Sequence, residues 1–212
     1  MRRNKKVQPK EKSKFAIVVE GECEFWYIQM LKRNEKLTNV TLKPEIPQRK
    51  RLSEQYAKVV ELSNDYDKVY WIIDFDVINK ETRETKKGIK TALQEFREYY
   101  YNIKNNHDNI IAIVNNPCFE FWILLHFEDS SRLYRSYDEL VKQLKKHLPD
   151  YEKTQKYYTK QNKDIYLKLL EKLPAATSNA KKLNKFNFEE MSCSVSEMFI
   201  LIETIEQFNK VV

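Results

Sequence analysis

Residues Phe15-Ala16-Ile17-Val18-Val19 form an apolar run that ends in Glu20-Gly21-Glu22-Cys23-Glu24. A β-branched run closed by an acid and a glycine, then followed by helix-compatible residues, predicts a buried strand that turns directly into a helix. Gly21 is one of only two glycines in 212 residues, and a sharp exit from the strand accounts for it at this point. About fifty residues on, Val69-Tyr70-Trp71-Ile72-Ile73-Asp74-Phe75-Asp76 gives a second buried strand that ends in two acids at i and i+2.

The periodicity around these strands predicts an alternation. Residues 23–34 place Phe25, Ile28 and Leu31 at helical spacing, and residues 40–46 read as a strand closed by Pro44 and Pro47. Ser53 is the expected cap of a helix over 54–63. A strand over 68–73, a polar loop over 77–87, a helix over 88–104 with Ile89, Leu93, Phe96 and Tyr100 on one stripe, and a strand over 109–114 follow. Strands alternating with helices imply a parallel sheet, so the fold class is α/β, with helices flanking the sheet of a core over 15–116. From Pro117 on the pattern is helical, over 118–127, 137–147, 161–173, 177–186 and 195–210, with breaks at Pro149 and Pro174. Residues 117–212 therefore read as a helical extension packed on the core, and residues 1–14 as a disordered basic tail.

Ligands of a parallel sheet sit beyond the carboxyl ends of its strands. Glu20, Asp74 and Asp76 fall there. Residues i and i+2 of extended backbone point the same way, so both aspartates can face one cation. Glu24, four residues after Glu20, faces the same spot from the first turn of a helix that starts at Gly21. An open site of oxygen ligands suits Mg²⁺ or Mn²⁺ rather than zinc. The competing reading of each acid alone is a helix cap or turn residue.

The net charge of +7 is unevenly spread. Residues 1–14 hold seven basic side chains and one acid, and residues 142–185 hold twelve lysines and four acids, which leaves the remainder acidic. That distribution suits a polyanion handled at a metal centre, although a lysine-rich helix also serves as a solvated face. Lys156, Lys163, Lys181 and Lys182 are the candidates for nucleic-acid contact, and Tyr157 and Tyr158, set among lysines, are candidates to stack on bases or to fill the core. Cys23, Cys118 and Cys193 are far apart and form no CxxC pair, which argues for a reducing cytoplasm and against a disulfide framework or a zinc knuckle. No stretch approaches the roughly 18 apolar residues that span a bilayer, and no apolar segment follows the basic N-terminus as in a signal peptide.

Strand-Glu-Gly followed by a later strand carrying Asp-x-Asp resembles the Toprim domain of topoisomerases, primases and overcoming-lysogenization-defect nucleases. The segment Asn115-Asn116-Pro117-Cys118-Phe119-Glu120-Phe121-Trp122-Ile123-Leu124-Leu125-His126-Phe127 resembles the signature of RloB-like proteins, relatives of the abortive-infection protein AbiLii. That family shows Glu-Gly-x-x-x-Glu, matched by Glu20, Gly21 and Glu24, and the likeness spans roughly residues 14–205. The resemblance implies a Toprim-like Rossmannoid core in which Glu20, Asp74 and Asp76 bind Mg²⁺ or Mn²⁺ and Glu20 takes part in proton transfer. It also implies a neighbouring ABC-type ATPase in an antiphage system. A Ser usually precedes Asn-Pro in the family where this chain has Asn115, which leaves a second-metal role for that position open. Glu120 reads either as a further ligand or as a first-turn acid favoured by the helix dipole. Lys160 or Lys181 is the candidate to stabilise charge on a phosphoryl group. His126, on an apolar face, reads as a core histidine.

The expected function is Mg²⁺-dependent phosphodiester hydrolysis of RNA, tRNA or DNA by a cytoplasmic toxic effector that an ATPase controls. An oligomer is compatible with the sequence. The alternative is a non-catalytic regulatory or nucleic-acid-binding subunit with a vestigial site. No Gly-Lys-Ser/Thr occurs, so the chain supplies no Walker-type ATPase, and no glycine-rich loop supports a nucleotidyl transferase.

Overall fold

The computed structural model describes residues 12–47, 51–183, 185–190 and 192–210. The chain begins with β1 (Ser13–Val19), α1 (Glu22–Asn34), β2 (Val40–Glu45), α2 (Leu52–Leu62) and β3 (Lys68–Asp74). Next come α3 (Phe75–Glu84), α4 (Ala92–Asn106), β4 (Ile110–Asn116) and α5 (Glu120–Leu125). The later part holds α6 (Tyr137–Leu144), α7 (Gln155–Tyr158), α8 (Ile165–Leu169), a 3₁₀ turn at Leu170–Lys172, α9 (Leu173–Lys182), β5 (Val195–Ser196) and α10 (Met198–Lys210). Of the basic tail, residues 1–11 lie outside the described residues, while Ser13 and Lys14 already belong to β1. Among the described residues no helix is long and apolar enough to cross a membrane.

The sheet runs β2-β1-β3-β4-β5, parallel except for the antiparallel β5. The chain leaves β1 to one side for β2 and returns to the other side for β3. The gap between β1 and β3 is thus the topological switch point, where a crevice opens beyond the carboxyl ends. The parallel α/β expectation therefore holds, with β5 and α10 added: β5 extends the sheet past β4, and α10 packs on β2 and β4.

Alternation along the strands divides the core. Phe15, Ile17, Val19, Tyr70, Ile72 and Ile113 face the layer that contains α1, α5 and α8 to α10. Ala16, Val18, Val69, Trp71, Ile73 and Val114 face α2, α3 and α4. Strands covered on both faces read as continuous apolar runs, which is why β1 and β3 were legible in the sequence. Each such buried large side chain contributes roughly 1.5–3 kcal/mol. Trp71 adds specificity by donating its indole N–H to Gln55 Oε1 at 2.9 Å, which fixes α2 to the sheet.

Several local expectations are corrected. Residues 77–87 are not a loop: α3 covers most of them. Only Phe75 and Ile78 of α3 are buried, so a narrow apolar stripe suffices and the remainder is a solvated face that imitates a loop in composition. The next helix starts at Ala92 rather than at Gly88, because Thr91 and Gln94 form a capping box. Gly88 has φ +87 in the preceding turn, and Ile89 is exposed rather than on the packed stripe. Arg51, not Ser53, occupies the N-cap of α2. Pro174 opens α9 instead of breaking it, since its missing N–H is not needed in a first turn. The expected helix over 161–173 begins only at Ile165, where the Asp164 carboxylate accepts from Leu167 N at 3.1 Å.

Glu197 closes the sheet edge by side chain. Its carboxylate accepts from Val114 N at 3.0 Å and Phe186 N at 3.3 Å, while its own N–H donates to Val114 O at 3.1 Å. Glu197→Ala leaves two backbone donors inside the protein without an acceptor, so stability falls by roughly 2–4 kcal/mol in urea unfolding, with a smaller loss for Glu197→Gln. An alanine variant as stable as the parent contradicts this role.

Candidate metal centre

The carboxyl ends of β1 and β3 and the turn after β4 bring five acids together. Glu20 directly follows β1, and its Oε2 accepts from Asp74 N at 3.3 Å across the switch point. Asp74 is the last residue of β3 and is buried. Asp76 lies in the first turn of α3, not on extended backbone, so the i, i+2 argument does not describe it. It reaches the same region because the chain turns into a helix at Phe75, and its N–H donates to Pro117 O at 2.9 Å. Glu24 sits buried in the first turn of α1, and Glu120 is fully buried in the first turn of α5.

Gly21 has a role other than a sharp turn. Its φ of −123 is open to any residue, but a Cβ there would lie 2.6 Å from Glu24 Oε2. The glycine leaves the room into which the Glu24 carboxylate folds.

Burial and mutual repulsion dominate the electrostatics. Glu20 is pushed up from 4.5 to about 8, first by burial and then by Glu24, Asp76 and Glu81, against the pull of the Asp74 N–H. Burial, followed by the charges of Glu24, Glu120, Glu20 and Asp76, raises Asp74 well above the usual carboxylate range. Glu24 moves up through burial and the Glu120 charge. Asp76 moves up through burial, partly relieved by Lys153. Glu120 Oε1 accepts from Tyr151 Oη at 2.7 Å and meets Lys153 Nζ at 2.9 Å. Burial opposes the Lys153 charge, but Glu120 beside it prevails and holds the ammonium above the ordinary lysine range. The Lys153 side chain is 40% exposed and lies over the Tyr137 ring at 4.0 Å, so this cation stands at the mouth of the cluster.

Among the described residues, two buried oxygens of this cluster, Asp74 Oδ1 and Glu120 Oε2, have no oxygen or nitrogen donor; the Glu24 carboxyl stands beside Asp74 and the Cys118 thiol beside Glu120. Asp74, Cys118 and Glu120 each offer one ligand atom, all within 4.8 Å of one another. Orphaned buried carboxylate oxygens beside further acids fit a divalent cation, which neutralises the repulsion and completes both acceptors. Exposure grades the cluster: Glu20 and Asp76 are partly open, whereas Glu24, Asp74, Cys118 and Glu120 are buried.

Among the described residues, none of the other candidate lysines forms an ion pair with these acids. Lys160 is exposed in the turn after α7, and the lysine that meets the acids is Lys153. Lys156 and Lys163 are exposed near it in sequence. Lys181 pairs with Glu203 at 2.7 Å, and Lys182 pairs with Asp129, so both have acidic partners of their own. Tyr157 and Tyr158 are buried, and Tyr158 Oη bonds Tyr151 Oη at 2.6 Å, so they serve the core rather than base stacking. Asn115 Oδ1 accepts from Ser196 Oγ at 2.7 Å, which ties it to β5. His126 is a core histidine, lowered to about 4 by burial, with Nδ1 at 2.9 Å from Trp122 O. Lys153 and Tyr151 carried no sequence signal, being one of many lysines and one of many tyrosines. Cys118 stood in a visible motif but was read only for pairing.

Gly21→Ala is expected to displace the Glu24 carboxylate, lowering Mn²⁺ affinity about tenfold while stability changes by less than about 1 kcal/mol. Unchanged affinity in calorimetry contradicts the crowding. A second expectation concerns pH. Because the folded Glu20 binds its proton more tightly than the unfolded residue, the folded state holds more protons between 4.5 and about 8. Stability of the metal-free chain relative to Glu20→Gln therefore falls as pH rises through that window, and Mn²⁺ flattens the difference. A difference that grows with pH contradicts the shift.

A family model described as RloB-like protein matches residues 15–205, most of the chain. No curated protein and no solved structure matches it. The match covers both strands that deliver Glu20 and Asp74, the Asn-Pro-Cys-Phe-Glu turn that delivers Cys118 and Glu120, and the segment carrying Lys153. The chain thus belongs to the RloB-like protein family.

Proposed function

We propose that this chain is a divalent-metal-dependent nuclease of Toprim type that hydrolyses phosphodiesters of RNA, including tRNA, or of DNA. The observation that carries this reading is the set of acids at the switch point with orphaned buried oxygens on Asp74 and Glu120. Glu20, Glu24, Asp74, Asp76 and Glu120 are the residues that hold the ion. Bound Mg²⁺ or Mn²⁺ supplies an activated water and neutralises charge on the scissile phosphate. Glu20, partly open and hydrogen-bonded to Asp74 N–H, is the carboxylate suited to proton transfer with the attacking water. Lys153 takes the charge-stabilising role first assigned to Lys160, because its ammonium already stands at the mouth of the acids. Exposed Lys156 and Lys163 then contact the flanking backbone. The family resemblance adds an ABC-type ATPase as the controlling partner in an antiphage system.

Incubating the chain with labelled tRNA, single-stranded RNA and plasmid DNA in Mn²⁺ or Mg²⁺ tests this. Cleavage is expected to fall roughly a hundredfold or more in Glu20→Ala and in Lys153→Ala. Cleavage that persists undiminished in Glu20→Ala sinks the site. No cleavage of any substrate, even with the ATPase present, favours a regulatory subunit with a vestigial centre.

A further inference from the structure

Cys118 Sγ and one carboxylate oxygen each from Asp74 and Glu120 lie within 4.8 Å of one another. The three residues are 1%, 8% and 0% exposed. A buried acceptor without a donor is destabilising, more so when charged, so the orphaned Asp74 Oδ1 and Glu120 Oε2 call for a ligand. Lys153 and Tyr151 both engage Glu120 Oε1, Oε2 has no oxygen or nitrogen donor among the described residues, and the Cys118 thiol stands beside the same carboxylate. The scaffold here is fixed by backbone: Asp76 N donates to Pro117 O, and Phe121 N donates to Cys118 O, each at 2.9 Å. Sulfur changes the chemistry of this half of the centre. Glu20 and Asp76 offer only oxygen and suit Mg²⁺ or Mn²⁺, whereas a thiolate beside two carboxylates favours a softer ion.

We infer that Cys118 contributes a thiolate to a divalent cation held by Asp74 and Glu120, and that this inner position selects Zn²⁺, Co²⁺ or Cd²⁺ over Mg²⁺. Coordination exchanges the thiol proton for the metal, and the proton passes to solvent. The inference rests on the proposal that the acids hold a cation, but not on phosphodiester cleavage.

Titration of Cd²⁺ into the reduced full chain, followed by ultraviolet absorption, tests it. The expected result is a thiolate-to-metal charge-transfer band that saturates at about one ion per chain and survives about a hundredfold excess of Mg²⁺. The band persists in Cys23→Ser and Cys193→Ser and is lost in Cys118→Ser, with Cd²⁺ affinity reduced about tenfold or more. A band that survives Cys118→Ser, or calorimetric Cd²⁺ binding without any band, overturns the inference. Should Cys118→Ser not fold, X-ray absorption of Cys23→Ser loaded with one equivalent of Zn²⁺ decides: one sulfur at about 2.3 Å supports the Cys118 thiolate, and an all-oxygen shell overturns it. A Cys118-dependent band in a chain that cleaves nothing keeps this inference and removes the nuclease reading. Cleavage with an all-oxygen shell does the reverse.

Discussion

Five carboxylates share one end of a sheet, with Lys153 paired to one of them, and the surrounding structure is arranged to hold that unfavourable assembly together. Like charges a few ångströms apart in a buried setting repel far more strongly than on a surface. Without a counter-charge, burial first and the neighbouring acids second favour holding protons, which is the direction in which Glu20, Glu24, Asp74 and Asp76 all move. The acids are held at the ends of β1 and β3 and in the first turns of α1, α3 and α5, around strands that are covered on both faces. The Asp76 N–H to Pro117 carbonyl bond joins the β3 exit to the β4 exit. Glu197 completes the free edge of β4 just before the turn that delivers Cys118 and Glu120.

How much of this was legible in the sequence depended on whether a residue acts through its own segment. Glu20 and Asp74 were legible because each ends a continuous apolar run, and a parallel sheet gathers strand ends. Asp76 was identified on a wrong local geometry, since nothing in Asp-Phe-Asp says that the helix starts at the middle residue. Lys153 acquires its role only through the fold, from a stretch of ordinary lysines. Tyr157 and Tyr158 show the converse: aromatics between lysines read alike whether the rings face solvent or are buried as here, where Tyr158 bonds Tyr151 in the Glu120 network. Helix α3 was missed because two buried residues in ten leave a composition that resembles a loop.

Membership of the RloB-like family and the chemistry of the site bear on different questions. The family match spans nearly all of the sheet and most of the helices, so it speaks for a shared fold that includes the turn after β4. The proposed reaction draws instead on the acids and on Lys153. The uneven charge of the chain fits a polyanionic substrate, yet Lys181 and Lys182 already have acidic partners, which narrows the candidate backbone contacts to the neighbourhood of α7.

In the proposed divalent-cation centre, Asp74 stands between the other acids and is the residue on which binding depends. Calorimetric titration of Mn²⁺ into the parent chain and into Asp74→Asn, with circular dichroism to establish that both are folded, tests it most directly. Saturable binding at on the order of one or two ions per chain is expected, lost in the folded variant. Equal binding by both chains, or none by the parent at millimolar Mn²⁺, contradicts it.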